Sequence, residues 1–463
     1  MIERQYGKEQ PYIPAGPFKI RIPFIHCKFE TPDYFQGLLM CAVCLGAIPL
    51  LQEYLGMPFE VAMAVVLLNG LLYCTHVLLG DPVIPGWVTP AIPLLIIHIS
   101  QYPIGVERMH AIIAFQMTLG LLAFILGVTG IGNKVVSLVP NAIKSGIILG
   151  AGIAAVNSIM KIGGRFDKFP MTIIICIGIG FYLLFSTHFK SKINSNKFTK
   201  TLANAGALPI IVLALIVGPL LKEVPWSTIE WGITKPAFGT LFKEWTIFGI
   251  GLPSGKMFLS SIPMVFATYV VLFGDMIQAQ SILEDASKVR KDEKIDYDPN
   301  RSHMIFGLRN MLMSIIGPDL TMCGPLWAAM QVVICERYKA GRDAMDSIHG
   351  GALSFRMGTL TGYLILPIVT LVRPILGIAL AATMLIQGYV SVRVGVMKSK
   401  TFNDLGIAGI IGAVLATRGA TWGLITGIIL CFLINIKRSS AHESYIFDQD
   451  EEIEEKTSSV IVD

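Results

Sequence analysis

Apolar runs recur along the chain from Phe35 to Ile436, parted by short joints that are charged or rich in Gly and Pro. Each run is close to the roughly 20 residues that a helix needs to cross a bilayer. The pattern predicts about 14 spans, at 35–55, 57–80, 83–100, 108–129, 139–160, 169–188, 202–221, 257–280, 303–316, 321–336, 350–371, 374–395, 403–417 and 419–436. The predicted fold class is an all-α polytopic membrane protein.

Two of the runs start in a way that opposes a continuous helix. "GDPVIPGWVTPAIPLL" (Gly80 to Leu95) carries Pro82, Pro85 and Pro90, and "GPDLTMCGPLWAAMQ" (Gly317 to Gln331) carries Pro318 and Pro325. Proline removes a backbone donor and interrupts the helical ladder. Non-helical backbone at membrane depth is tolerated only where it is buried in protein or lines a wet cavity. Each break therefore predicts a half-helix whose N-terminus, with free N–H groups and the positive end of the dipole, favours negative charge near the midplane.

The two breaks lie in different halves and are related by a shift of 238 residues (Gly86 to Gly324), a weak internal symmetry typical of transporters built from repeats. "VCLGAIPLLQ" (Val43 to Gln52) resembles "VLFGDMIQAQ" (Val271 to Gln280) at a similar offset, and "LVPNAIKSGIILGAGIAAVNS" resembles "LVRPILGIALAATMLIQGYVS". With seven spans per unit, the second copy is inverted in the membrane, giving two inverted seven-span repeats.

Composition agrees: 53% of residues are hydrophobic, 15% are charged and the mean hydropathy is +0.63. A soluble domain of this size needs more charge than that. The net charge of +5 sits in short loops, with no basic domain to grip nucleic acid. Lys and Arg crowd Arg4 to Lys28, Lys190 to Lys200, Lys288 to Arg301 and Arg337 to Arg342, which predicts both termini in the cytoplasm of a multi-pass plasma (inner) membrane protein. Residues 1–34 form a polar cytoplasmic segment without signal-peptide character, and the acidic "FDQDEEIEEK" lies in a tail, 438–463, read as disordered. The eight cysteines lack disulfide or zinc spacing, so no metal is expected; Cys41 and Cys44 read as small packing residues. No HExxH, GxSxG or P-loop spacing occurs, so no enzyme and no cofactor are expected.

On "QGLLMCAVCLGAIPLL", "GDPVIPGWVTPAI", "PNRSHMIFGLRNMLMSIIGPDLTMCGPLWAAM" and "LVRPILGIALAATMLIQGYVSVRVG" the chain resembles the nucleobase–ascorbate transporter family and its sulfate-permease relatives, over Gln36 to Ile436. The resemblance implies a core domain at 35–130 and 257–372, a gate domain at 131–256 and 373–437, a homodimer joined through the gate, and an elevator movement of the core. It implies a substrate site at Gly86, Trp87, Thr89 and Ile92 on span 3, Cys323, Gly324, Pro325 and Trp327 on span 10, Val271 and Asp275 on span 8, and Cys44 on span 1. Nucleobase members carry a carboxylate where this chain has Val271, another where it has Pro325, and a Gln-His pair where it has Gln36 and Gly37. All three departures weaken a nucleobase reading.

Asp275 is the acid deepest in an apolar run, where a charge costs roughly 2.5–3.5 kcal/mol without a partner or water. It is the candidate both for solute contact and for coupling to H⁺ or Na⁺. Arg309 and Lys144 are candidate counter-ions, with snorkelling to the interface the simpler role for Lys144. Asp81 and Asp319 read as caps or vestibule acids, Arg356 and His349 as interfacial, and His76 as a core histidine. The function expected is secondary active transport of a small polar, anionic solute. A nucleobase permease and an uncoupled anion channel are the alternatives.

Overall fold

The computed structural model describes residues 2, 4–192, 196, 199, 202 and 208–434. The chain enters through a β-hairpin of β1 (Ile13–Ala15) and β2 (Phe18–Ile20), paired antiparallel with Ile13 opposite Ile20. Fourteen principal helices follow among the described residues. The first seven are α1 (Thr31–Cys44), α2 (Phe59–Leu78), α3 (Ile92–Ile99), α4 (Val106–Thr129), α5 (Asn141–Met160), α6 (Pro170–Phe185) and α7 (Leu208–Leu220). The second seven are α8 (Gly255–Val289), α9 (Pro299–Ile316), α10 (Ala328–Lys339), α11 (Ile348–Leu364), α12 (Leu376–Lys398), α13 (Phe402–Arg418) and α14 (Ala420–Ile434). Six helical stretches are long and apolar enough to cross a membrane, and several others are shorter apolar helices. The expected span at 202–221 is described as a helix only from Leu208, and the acidic tail lies outside the described residues.

The packing is that of a duplicated unit. Swapping α1–α7 for α8–α14 maps the contacts onto themselves: α1 on α11 becomes α8 on α4, and α2 on α11 becomes α9 on α4. Likewise α5 on α13 becomes α12 on α6, and α1 on α7 becomes α8 on α14. Small residues set the closest of these approaches, as expected where lipid gives helices no hydrophobic reason to associate. Along α4 and α9, a Cβ at Gly120 would lie 2.7 Å from the Gly307 carbonyl oxygen, and one at Gly307 would lie 2.7 Å from the Phe124 nitrogen. Between α1 and α11, a Cβ at Gly37 would overlap the Phe355 carbonyl, and one at Gly358 would overlap that of Tyr34.

Gly37 therefore has a packing reason to replace a polar residue. Because the clash is with backbone, Gly37→Ala is expected to lower stability by about 1–3 kcal/mol, read as a fall in thermal midpoint of the detergent-purified protein. An unchanged midpoint would mean that α1 and α11 separate easily.

Four boundaries differ from the sequence expectation. Span 3 becomes helical only at Thr89, through a 3₁₀ turn (Thr89–Ala91), and span 10 only at Ala328, since the prolines hold the preceding backbone extended. Span 8 is longer than expected, running to Val289, because the polar residues after Gln280 continue the helix beyond the apolar run. Leu366–Val372, expected at the end of span 11, is parted from α11 at Ile365 and leads instead into α12.

The N-terminal segment is not a loose leader: Arg4, Gln10, Arg21 and His26 are buried. The hairpin caps α2, with Lys19 N–H donating to the Leu79 carbonyl and Arg21 N–H to that of Leu78, two of the acceptors that a helix C-terminus leaves without partners. Arg4 reaches Asp292, Glu293 and Asp346 at 2.8, 3.6 and 3.9 Å, clamping the segment onto the joints flanking α9 and α10.

Burial pushes the Glu293 carboxyl up to about 7, although Arg4 and Arg290 oppose the shift. The folded value lies above the ordinary 4.5, so between these pH values the folded chain binds more protons than the unfolded one. Its contribution to stability therefore falls as pH rises through this window, by up to about 3 kcal/mol. His349 Nδ1 lies 3.9 Å from Glu293, so the measurement is a difference between two proteins that share this neighbour. Wild type and Glu293→Gln are expected to be alike at pH 5, with wild type the less stable at pH 8; a pH-independent difference would contradict this.

Candidate functional site: two crossed helix breaks

The extended segments before α3 and α10 lie antiparallel against each other. Gly86 and Gly324 exchange both backbone hydrogen bonds, at 3.3 and 2.7 Å, flanked by Val88 N–H to Thr321 O at 3.1 Å and Trp327 N–H to Ile84 O at 2.6 Å. Ile84 N–H in turn donates to the Gln331 side chain at 2.6 Å. Glycine is required at the crossing, since a Cβ at Gly86 would lie 2.8 Å from the Trp327 Cβ and one at Gly324 3.3 Å from the Gly86 oxygen. This corrects the expectation of amides at Gly86 and Gly324 offered to a ligand: each is used by the other strand.

The amides without partners come later. Trp327 is the N-cap of α10 and supplies no side-chain cap; Ala328, Ala329 and Met330 N–H find no acceptor among the described residues. At α3 the Thr89 N–H is likewise unpaired, and Pro90 and Pro93 have none to offer. Thr89, Trp87, Trp327 and Ala328 are partly accessible and Ala329 is exposed, whereas Gly86, Gly324 and Pro325 are buried. Ile92, Val271 and Cys44 are packed in the core rather than lining open space. α1 bends just beyond Cys44, where a Cβ at Gly46 would lie 3.6 Å from the Trp87 ring.

Cys323 faces away from the half-helix starts. Its thiol meets His76 Nε2 at 3.4 Å, its N–H donates to Asn310 Oδ1 at 2.9 Å, and His76 Nδ1 is 3.3 Å from Asp81, which accepts from Ser302 Oγ at 2.7 Å. The order Cys–His–Asp is that of a nucleophilic triad, yet all three are within 1% of full burial. Sealed in this way, they staple the two breaks to α2 and α9. Asp81 and Asp319 are thus core groups rather than solvated caps. Asp319 accepts from the Asn69 and Thr321 side chains and from Thr321 N–H at 3.0 Å, and its own N–H donates to Gln116 Oε1 at 3.1 Å. Asn69 also accepts from Arg309 through its carbonyl, at 3.2 Å, and through its side chain.

Asp275 stands apart from this network. α8, the helix that carries it, packs against both the 3₁₀ turn at Thr89–Ala91 and α10. The Asp275 carboxylate is partly exposed and makes no hydrogen bond or ion pair with any described residue. The space beside it is open, since a Cβ at the neighbouring Gly274 would meet nothing within 4 Å. A cavity of about 250 Å³ elsewhere, lined by Glu60, Glu230, Lys235 and Arg373 among others, includes none of the half-helix residues.

Arg356 and His349, read from the sequence as interfacial rather than catalytic, are packed inside the protein. Both are buried, at 0% and 1% exposure. The signal was weak because Arg356 lies near the start of an apolar run, where snorkelling explains a cation equally well. Only the position of Tyr73, whose ring lies 3.7 Å from the Arg309 guanidinium and 4.3 Å from that of Arg356, shows that both point inward.

No family model matches the chain, and no curated protein does. Solved structures do. The transmembrane domain of a cyanobacterium bicarbonate transporter, BicA, matches with a TM-score of 0.54 at 15% identity, covering 86% of this chain and 96% of that one. Murine Solute Carrier 26 family member A9, an anion transporter in the inward-facing state, matches with a TM-score of 0.51 at 14% identity, covering 88% of this chain and 69% of that one. A second SLC26A9 structure gives 0.52 at 13%, covering 87% of this chain and 65% of that one. The duplicated helical packing, the crossed breaks and these likenesses agree: the chain is an integral membrane protein with the fold of the BicA and SLC26A9 transporters.

Proposed function

We propose that the protein is a secondary active transporter of a small anionic solute, coupled to H⁺ or Na⁺. The observation that carries this reading is the set of unpaired amides at Ala328, Ala329 and Met330, on a helix packed against α8, which carries an acid without a protein partner. The amides and the dipole suit an anion. Asp275 suits a cation or a proton, and an intramembrane acid whose charge is neutralised on binding either can move across the membrane with its load. In this reading the core (35–130 and 257–372) carries the site past the gate (131–256 and 373–437), the gate joins two copies, and both termini face the cytoplasm of a plasma membrane.

The solute class draws support from the absence of carboxylates at Val271 and Pro325, which leaves little to hydrogen-bond the N–H edges of a nucleobase. The test is uptake of labelled bicarbonate, sulfate and uracil into proteoliposomes under imposed H⁺ and Na⁺ gradients. Accumulation of an anion that collapses with one gradient is expected. Gradient-independent flux with unitary currents would instead make the protein a channel, and uracil uptake alone would overturn the solute class.

A further inference from the structure

Arg356 is a buried core cation near the breaks that forms no ion pair with any described residue. Its guanidinium is fully buried, and Nε, Nη1 and Nη2 all lack a hydrogen-bond partner among the described residues. It is caged by aromatic faces, 4.3 Å from the Tyr73 ring centroid, 5.3 Å from that of Trp327 and 5.4 Å from that of Phe355, with the Cys44 thiol within electrostatic reach. Arg309, whose guanidinium lies 3.7 Å from the same Tyr73 ring, differs: Asn69 links it to the Asp319 carboxylate. Aromatic faces attract a cation but do not neutralise it. A buried guanidinium without hydrogen bonds is costly to stability.

What lies on the far side of its cage is the N-terminus of α10, because Trp327 is both a wall of the cage and the N-cap of that helix. We propose that Arg356 is a positioning residue that sets the charge selectivity of the half-helix site. Its uncompensated positive charge acts through Trp327 on a small anion held by the amides of Ala328, Ala329 and Met330. The proposal rests on the anion reading above and adds its cause: three amides bind any acceptor, whereas a fixed charge at low dielectric favours a formal anion over a neutral solute, and a dianion over a monoanion.

The experiment uses the full chain in detergent or nanodiscs, with chloride and sulfate as probes against gluconate at constant ionic strength, read by thermal shift and tryptophan fluorescence. A ligand that binds only the folded state raises the midpoint in proportion to its affinity. Arg356→Gln is expected to weaken anion affinity on the order of ten-fold, with sulfate losing more than chloride, while Arg356→Lys stays close to wild type. A structural role would leave the sulfate-to-chloride ratio unchanged, and that result overturns the proposal. If Arg356→Gln does not fold, Arg356→Lys decides: retained affinity and ratio support the charge, and their loss shows that stacking of the planar group, not charge, is what matters. A wild-type protein that responds to neither anion would overturn the anion reading itself and this proposal with it, whereas wild-type binding unaffected in Arg356→Gln would overturn this proposal alone.

Discussion

Replacing Asp275 by asparagine is expected to leave the protein folded and to abolish ion-driven accumulation of its solute. The carboxylate has no protein partner to lose, and an isolated charge within an apolar helix costs roughly 2.5–3.5 kcal/mol on insertion scales, so the neutral amide is no less stable. The thermal midpoint should therefore be held or raised. Transport should respond differently: without a group that can be protonated or coordinate a cation, an imposed gradient has nothing on which to act. In proteoliposomes, gradient-stimulated uptake is expected to fall at least ten-fold while exchange of solute down its own gradient persists. Equal stimulation of wild type and Asp275→Asn by either gradient would remove Asp275 from the coupling path. A lowered midpoint would show that the carboxylate has a structural partner.

The largest effect on stability is expected at Asn69, which contacts no proposed ligand. Asn69 accepts from Arg309 and donates to Asp319, so it joins a buried cation to a buried acid that form no direct ion pair. Nε and Nη1 of Arg309 are already without partners. Leucine keeps the branched shape of the side chain and removes its links to both charges, leaving Arg309 only the Asn69 backbone carbonyl. Breaking a buried charge link strands the charges and typically costs about 3–5 kcal/mol, so Asn69→Leu should unfold in detergent well below wild type. The combined Arg309→Met, Asn69→Leu, Asp319→Asn protein should recover much of that loss, because neutral groups carry no desolvation penalty. A midpoint for Asn69→Leu equal to wild type would show that water bridges the two charges unaided. Failure of the triple substitution to recover would show that the polar contacts themselves, rather than the charges, hold α2, α9 and the span 10 break together.

The helical frame was legible in the sequence to a useful degree. The apolar runs that predict spans around 57–80, 108–129, 139–160 and 403–417 coincide with α2, α4, α5 and α13, because a lipid-facing helix has to be apolar over most of its length and therefore announces itself. The breaks were legible too, since proline acts through the residues next to it. Their mutual pairing was not. Nothing local to Gly86 indicates that its amide is consumed by Gly324, a partner 238 residues away, so the free amides move from the glycines to Ala328–Met330.

The polar residues divide in the same way. Asp275 could be singled out from sequence because a carboxylate amid apolar residues is conspicuous wherever it points. Asp81, Asp319, His76, His349 and Arg356 could not be assigned, because the same residue near the end of an apolar run serves equally as a cap, a snorkelling cation or a core group. The tertiary structure decided among these by bringing hydrogen-bond partners from distant segments to His76, Asp81 and Asp319, and only aromatic faces to Arg356. By itself, the sequence determined that this is a duplicated, membrane-embedded helical chain with two interrupted spans and a carboxylate, Asp275, set within an apolar run, since lipid solvation and proline geometry act along the chain. Which amides are free, which charges are balanced and which cation stands behind the half-helix were decided only by the fold, because hydrogen bonds and charge compensation depend on neighbours that chain order does not reveal.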